Sequence, residues 1–263
     1  MDSPVTPADR AMPLDPKAPA RAVSPHPALK EFYEHPQDRA QTLGQLFDSS
    51  AAHYDWINHV LSFGTGNWYR ARALRTAGLK PGMRIIDVAC GTGVISERAA
   101  KIVGDPSLVI SIDPSEGMRA QAKRRRNINA LAGDAEHLPV ENASADMVVM
   151  GYALRHVTDL VAAFTEFARV LKPGGRVLIL EITSPRGRIR RGLARFYFRG
   201  LIPLIMRIFS RSKDAKKLMQ YHWDSIERCV PPETIQQAMN DAGLSSIHRR
   251  VDVGVFSAYT AAK

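Results

Sequence analysis

Apolar and polar positions along the chain change their spacing repeatedly, and the changes predict alternating strands and helices. Short apolar runs typical of buried strands alternate with stretches whose apolar positions repeat at helical spacing. The apolar runs cover 83–89, 107–113, 128–134, 146–151, 176–182, 246–253 and 255–262, and the helical stretches 94–103, 114–126, 160–171 and 232–242. This alternation is typical of a parallel sheet covered by helices. We therefore predict an α/β domain whose last two strands form an antiparallel hairpin.

The first 40 residues differ in composition from the rest of the chain. Residues 1–36 contain eight of the seventeen prolines and few aromatic residues. Such a segment buries too little apolar surface to offset its ordering entropy. We interpret residues 1–40 as a disordered Pro-rich leader and residues 41–263 as one domain that begins with helices.

The positive charge of the chain is concentrated in one segment. Residues 186–217 contain eleven basic residues and one acid, so their net charge equals the +10 of the whole chain. Arginines at 188, 191, 195 and 199 share one helical face, and an apolar stretch at 201–209 follows. This pattern favours a basic amphipathic lid that contacts an anionic membrane surface. A solvated insertion and a nucleic-acid contact are the alternatives.

Cysteine usage and hydropathy restrict the cellular location. The two cysteines, Cys90 and Cys229, are too few for a disulfide framework, and the N-terminus has no signal-peptide pattern. No apolar run approaches the roughly 20 residues that cross a bilayer. We expect a cytoplasmic protein, with any membrane contact peripheral and at the inner face.

A glycine-rich turn follows the first predicted strand. Residues 87–93 read DVACGTG, and Asp113 lies twenty residues after Gly93, at the end of the second strand. Glycines allow a ligand to approach backbone N–H groups, and a strand-end carboxylate accepts hydrogen bonds from ribose hydroxyls. Ser96 occupies the third glycine position of a dinucleotide fingerprint, which disfavours NAD. The pair indicates an adenosine-type ligand, and a turn that only starts a helix is the alternative.

A second carboxylate follows the third predicted strand. Asp134 and the backbone of Ala135 stand where an adenine amino group needs an acceptor and ring N1 needs a donor. A solvated turn aspartate is the alternative interpretation.

Longer motifs resemble a known enzyme class. D-x-A-x-G-T-G at 87–93, D-A-E-x-L-P at 134–139 and the run at 169–181 resemble class I S-adenosylmethionine-dependent methyltransferases. Residues 47–70, 153–159 and 221–244 resemble the UbiE family, the C-methyltransferases of ubiquinone and menaquinone biosynthesis. The resemblance implies a Rossmann-like domain with helices on both faces of a seven-stranded, mostly parallel sheet in the order 3-2-1-4-5-7-6. It also implies S-adenosylmethionine as the methyl donor.

The resemblance, together with the glycine-rich turn, predicts a cofactor site and no metal site. The cofactor-binding residues expected are Asp87, Gly91, Thr92, Gly93, Asp113, Asp134, Ala135 and Gly151. The family commonly has Asn where Asp134 stands and Ser where Gly151 stands.

Four residues are candidates for the chemistry. Carbon methylation beside a phenol needs alignment and a phenolate, hence a cation or a base near the hydroxyl. Arg155 matches the arginine of the family's G-L-R-N-V motif and is predicted to stabilise the phenolate or to polarise a water molecule. His156 replaces the asparagine of that motif and His59 replaces an acid, so His156, His59 or Asp55 is expected to act as the base. An ordinary polar role is the alternative for each histidine.

The leading hypothesis is C-methylation of a prenylated quinol or a related lipophilic aromatic compound. Methylation of another small aromatic or lipid, at carbon, nitrogen or oxygen, is the alternative within enzymes. From another class, the basic segment suggests an RNA-associated binding protein, although the leading hypothesis expects no nucleic-acid partner. The sequence does not determine which ring is methylated, how long the prenyl chain of the substrate is, or whether the chain forms a homodimer.

Overall fold

The computed structural model describes residues 22–33, 38–61, 64–183 and 213–263, with scattered residues between 187 and 200. Helices occupy Arg39–Leu61 (α1), Gly66–Thr76 (α2), Val94–Val103 (α3), Glu116–Arg126 (α4), Leu160–Val170 (α5), Lys213–Glu227 (α6) and Pro232–Asp241 (α7). Strands occupy Ile85–Val88 (β1), Val109–Ile112 (β2), Ala145–Gly151 (β3), Leu171–Ile182 (β4), Ser245–Asp252 (β5) and Phe256–Ala262 (β6). Short 3₁₀ turns cover Pro106–Leu108 and Leu154–His156.

All six strands form one sheet in the order β2-β1-β3-β4-β6-β5. Strands β1 to β4 pair in parallel, whereas β6 pairs antiparallel with both β4 and β5. Every residue of β1 is buried, as expected for a parallel strand with helices on both faces. The predicted α/β class and the terminal antiparallel hairpin are confirmed.

The third predicted strand, at 128–134, is reduced to one bridge. Leu131 pairs in parallel with Ile112, and its backbone exchanges hydrogen bonds with Ser111 and Asp113. Leu131 is largely exposed, and its neighbours Ala130 and Ala132 offer little apolar surface to hold a longer ladder at the sheet edge. The described residues therefore form six strands where seven were predicted, in the predicted order otherwise.

The predicted disorder of the leader requires a correction within the described residues. Residues 22–33, here called the strap, pack onto the domain and bury Leu29 completely. The backbone of Val23 bonds to Asp159 and Leu160, and Pro25 accepts a hydrogen bond from Val230. The prediction used average composition, which does not register a few apolar side chains that find partners far along the chain. Residues 1–21 lie outside the described part.

Helix α1 connects the strap to the sheet. Its Leu43 and Leu46 pack in one cluster with Leu29 of the strap and with Leu218 and Tyr221 of α6. Helix α1 also contacts α4. These contacts place α1 across the end of the sheet where β1, β2 and β3 terminate.

The predicted basic lid at 186–217 falls mostly outside the described residues. Phe196, one of its few described members, is 70% exposed. In the part of the chain that the structure describes, no helix combines the length and apolar character needed to cross a bilayer.

Candidate active site

A cavity of about 200 Å³ opens at the carboxyl ends of β1, β2 and β3, beneath α1. This edge of a parallel sheet is where ligands bind in open α/β folds. Loops after the strands supply one wall, which includes Gly91, Asp113, Asp134, Ala135, Gly151 and His156. Helix α1 supplies the cover, which consists of Leu43, Gly44, Phe47 and Tyr54. Six of the predicted site residues therefore line one cavity.

The glycine-rich turn and Asp113 are locked together. The Gly91 N–H donates to Asp113 Oδ2 at 2.7 Å, and the Ser115 N–H donates to Oδ1 at 2.9 Å. Gly91 has φ of 57°, a left-handed conformation that favours glycine. Because a carboxylate offers about four lone-pair positions, both Asp113 oxygens keep acceptor capacity toward the cavity. These two acceptor oxygens fit the two hydroxyls of a ribose.

Burial dominates the electrostatics of Asp113. Desolvation raises the pKa of its carboxyl to about 6, although the backbone donors of Gly91 and Ser115 oppose the shift. The group is ionised at neutral pH and gains a proton as the pH falls through that value. Below it, the site loses acceptor capacity.

Asp134, Ala135 and Gly151 lie farther along the same wall. Asp134 Oδ1 accepts the Glu136 N–H at 2.9 Å, and the side chain is about half exposed. At Gly151, an added Cβ would lie only 2.2 Å from Ile95 Cδ1. The serine that is usual in the family would therefore require the Ile95 side chain, whose terminal methyl is the close atom, to change its rotamer in this chain.

Three loop residues predicted to bind the cofactor lie outside the cavity lining. Asp87 is buried beneath the loop and accepts a hydrogen bond from Ser96 Oγ at 2.6 Å, and burial raises its pKa to about 7. Thr92 turns its hydroxyl toward Asp55, and Gly93 caps the N-terminus of α3 with φ of 84°. These residues support the loop on the side away from the cavity. The spacing of residues in the motif does not distinguish this structural role from ligand contact.

Asp55 braces the loop and does not face the cavity. Its carboxylate accepts the Thr92 hydroxyl and pairs with Arg126 at 2.9 Å and Arg125 at 3.3 Å. Arg126 also donates to the Thr92 carbonyl at 2.9 Å. With these partners, Asp55 joins α1, α4 and the glycine-rich turn, which differs from the predicted role as a base. The side chain of His59 lies outside the described residues.

Arg155 also lies away from the cavity lining. Its guanidinium is 1% exposed and donates to Glu181 Oε2 at 2.8 Å and to Ser225 Oγ at 2.7 Å. These bonds tie the 3₁₀ turn to the end of β4 and to α6. The geometry thus places Arg155 in a buried ion pair, whereas the sequence predicted a contact with the substrate oxygen.

His156 is the catalytic candidate that lines the cavity. Its Nδ1 lies 3.1 Å from the Tyr221 hydroxyl, and its buried Nε2 has no hydrogen-bond partner. Burial, followed by the positive charge of Arg155, lowers the pKa of the imidazole well below its usual value. His156 is therefore neutral at physiological pH and has an unsatisfied ring nitrogen.

Sequence reasoning missed several residues that build the site. His222 and Tyr221 of α6 form ring contacts with His156, and Phe47 of α1 completes this aromatic wall. Asp48 accepts the Gly117 N–H at 2.8 Å and the Ser115 hydroxyl at 2.5 Å, which docks α1 on α4. Both Asp48 and the Tyr221-His222 pair stood in the family-like motifs, but their partners are distant in sequence.

Comparison with known proteins agrees with this architecture. The model of the ubiE/COQ5 methyltransferase family matches residues 36–263. The chain is 32% identical to a demethylmenaquinone methyltransferase of Staphylococcus saprophyticus over 222 residues, covering 82% of this chain and 93% of the relative. It is 31% identical to the ubiquinone/menaquinone biosynthesis C-methyltransferase UbiE of Shewanella halifaxensis, covering 81% and 86%.

A solved structure supports the fold. A SAM-dependent methyltransferase from Aquifex aeolicus superposes with a TM-score of 0.53 and 20% identity, over 73% of this chain and 88% of that chain. At this identity the likeness concerns the fold alone.

Proposed function

The chain belongs to the ubiE/COQ5 methyltransferase family, and from this premise we propose that it methylates a ring carbon of a prenylated quinol in ubiquinone or menaquinone biosynthesis. S-Adenosylmethionine is the methyl donor. The observation that carries the proposal is a single cavity that joins the Asp113 carboxylate to an aromatic wall with an unpartnered imidazole nitrogen. The names of the curated relatives support the same substrate class.

The strand-end residues fit the cofactor. Asp113 would accept the ribose hydroxyls, Asp134 and the Ala135 N–H would hold the adenine, and Gly91 leaves room for backbone approach. When bound, S-adenosylmethionine supplies a methyl group already activated by a positive sulfonium.

The remaining wall suits an aromatic ring. Phe47, Tyr54, Tyr152 and His156 line the cavity beside Leu43. Aromatic and apolar side chains bind a flat lipophilic ring by burying its surface and by edge-to-face contacts. This composition favours a quinol over a charged, strongly hydrated acceptor.

His156 is the residue that we assign to proton transfer. When Nδ1 carries its hydrogen and donates to the Tyr221 oxygen, Nε2 keeps a lone pair that has no partner, in a ring that lines the cavity. Burial raises the pKa of Tyr221 to about 12, so the phenol keeps its own proton, and its oxygen accepts in the tautomer that this proposal requires. Nε2 then removes the proton of a quinol hydroxyl, and the resulting phenolate makes the adjacent ring carbon nucleophilic. One proton leaves the ring for each methyl group added.

A lipophilic substrate also suggests a membrane source. The segment at 186–217 has a net charge of +10 and an apolar stretch, a combination that attracts a protein to anionic lipid. We include peripheral contact with an anionic membrane surface in the proposal.

A methyl-transfer assay tests the proposal. Purified protein, labelled S-adenosylmethionine and a short-chain demethylated quinol should give a product heavier by one methyl group, with the label on a ring carbon by NMR. A label on oxygen, or transfer only to a non-quinol aromatic or lipid, would replace the substrate assignment. Binding of RNA without transfer to any of these acceptors would overturn the enzyme assignment.

A further inference from the structure

The strap contains a buried histidine that lies beneath the active site. His26 is 1% exposed, and its ring meets the Tyr221 ring edge-on at a centroid distance of 6.4 Å. Residues 22–33 precede the region matched by the family model, which begins at residue 36. The strap is therefore a part of this chain for which the family comparison provides no role.

The hydrogen bonds of His26 fix its tautomer. Nδ1 lies 2.7 Å from the carbonyl of Pro27, which can only accept, so Nδ1 carries the hydrogen. Nε2 lies 2.7 Å from Arg39 Nη2, which can only donate, so Nε2 presents its lone pair. The bond from Arg39 requires the neutral form of His26, and burial together with Arg39 lowers the pKa of His26 to about 4.

Arg39 is a buried cation, and the groups that accept its hydrogen bonds are all uncharged. It is 4% exposed, and Nη2 donates to His26 Nε2 and, at 2.5 Å, to the carbonyl of Arg155. Nη1 donates weakly to Ser24 Oγ at 3.3 Å. No carboxylate among the described residues pairs with Arg39. The orientation of its guanidinium therefore depends on His26 and on the main-chain carbonyl of residue 155.

This arrangement ends at the imidazole that faces the cavity. The carbonyl held by Arg39 belongs to the peptide that leads into His156, and Tyr221, packed against His26, contacts His156 Nδ1. We propose that His26 and Arg39 are positioning residues, which hold the backbone and the Tyr221 partner of His156 and so fix the orientation of the imidazole at the cavity wall. This inference rests on the proposed function and extends the site to the strap.

Charge provides a readout that a purely structural role would not change. The titratable groups that face His156 come from its own turn, from α1, from α6 and from the strap, and they are Arg155, Arg39, Tyr54, Tyr221, His222 and His26. Burial lowers the pKa of His156 most, followed by Arg155 and His222, and the positive charge of Arg39 lowers it further. Removing that charge should raise this pKa, so the acid limb of the rate profile should move to higher pH.

Two substitutions in the full-length protein test the inference. His26→Leu removes the acceptor for Arg39, and kcat should fall by about 10- to 100-fold, in the range expected when a reacting group is displaced by about 1 Å. His26→Gln keeps one donor and one acceptor and should recover most of the loss. Lys30→Ala, an exposed position of the same strap, is the matched control and should behave as the wild type. The affinity for S-adenosylmethionine, measured by calorimetry, should stay within about twofold in all three, because Asp113 and Gly91 do not contact this network.

Arg39→Met keeps the experiment decisive if His26→Leu does not fold. Replacing a buried cation that has no carboxylate partner with an apolar side chain of similar length removes the cost of burying its charge. We expect a lower kcat with the acid limb shifted upward. A wild-type kcat in His26→Leu would overturn the inference, as would an unshifted acid limb of the rate profile in Arg39→Met. Equal losses of kcat in His26→Leu and His26→Gln would also overturn it. Absence of quinol methylation by the wild type would instead overturn the proposed function.

Discussion

The ion pair of Arg155 and Glu181 leads to the sharpest stability prediction. Arg155 is 1% exposed and Glu181 is 3% exposed, and Nε and Oε2 are 2.8 Å apart. Arg155→Met removes the guanidinium while it keeps a side chain of similar length. The Glu181 carboxylate would then remain buried without its cation, since it has no other basic partner among the described residues.

The expected cost follows from that burial. Removing one member of a buried pair destabilises a protein by about 3 to 5 kcal/mol, because an uncompensated charge is left in a low-dielectric environment. For a domain of this size, about 1 kcal/mol corresponds to roughly 2 to 4 °C in Tm, so a fall of roughly 6 to 20 °C is expected. In the double variant Arg155→Met/Glu181→Leu no charge is left behind, and most of the free energy of unfolding should return.

Urea denaturation of the wild type, both single variants and the double variant completes the cycle. A coupling free energy of about 2 kcal/mol or more between the two positions would confirm the buried pair. If Arg155→Met unfolds at the wild-type urea concentration but loses turnover, the structural assignment fails and Arg155 returns to the predicted contact with the phenolate.

Three further predictions follow from the cavity and the basic segment. The affinity for S-adenosylmethionine should fall as the pH is lowered through about 6, where Asp113 gains its proton. Calorimetry should show that this affinity depends less on pH in Asp113→Asn. An equal pH dependence in the wild type and the variant would exclude the Asp113 carboxyl as its cause. Gly151→Ser should destabilise the fold by about 0.5 to 1.5 kcal/mol, the cost of moving the Ile95 terminal methyl out of its rotamer. In the Ile95→Val background, which lacks that methyl, thermal melts should show no loss from Gly151→Ser. An equal loss in both backgrounds would contradict the packing argument. The protein should sediment with anionic liposomes. It should be released when added salt shortens the Debye length below about 8 Å. Liposome binding that survives replacement of the arginines at 188, 191, 195 and 199 by glutamine would contradict the membrane proposal.

Elements that depend on local pattern were predictable, and elements that depend on distant partners were not. The glycine-rich turn and Asp113 could be placed because a strand, a tight turn and a helix carry signals within a few residues. The strap could not be placed, because Leu29 and His26 acquire partners only when Leu218 and Arg39 arrive from elsewhere in the chain. The third strand was overpredicted for the opposite reason, since its local pattern lacks enough apolar surface to complete a ladder.

Sequence reasoning assigned the chemistry at the end of β3 first to Arg155, and the geometry favours the next residue. Both lie in the 3₁₀ turn Leu154–His156, where successive side chains point about 120° apart, so adjacent residues do not share a direction. Arg155 points to Glu181 in the core, whereas His156 lines the cavity.

The two residues remain coupled across that turn. Burial and then the guanidinium of Arg155 lower the pKa of His156, so the imidazole is neutral and its Nε2 lone pair is available. An asparagine at 156, as the family motif has, would need no such protection because it does not titrate. In this chain, burial and the positive charges of Arg155 and Arg39 therefore act in two ways: they keep His156 neutral, and they make it a weaker base than a free imidazole.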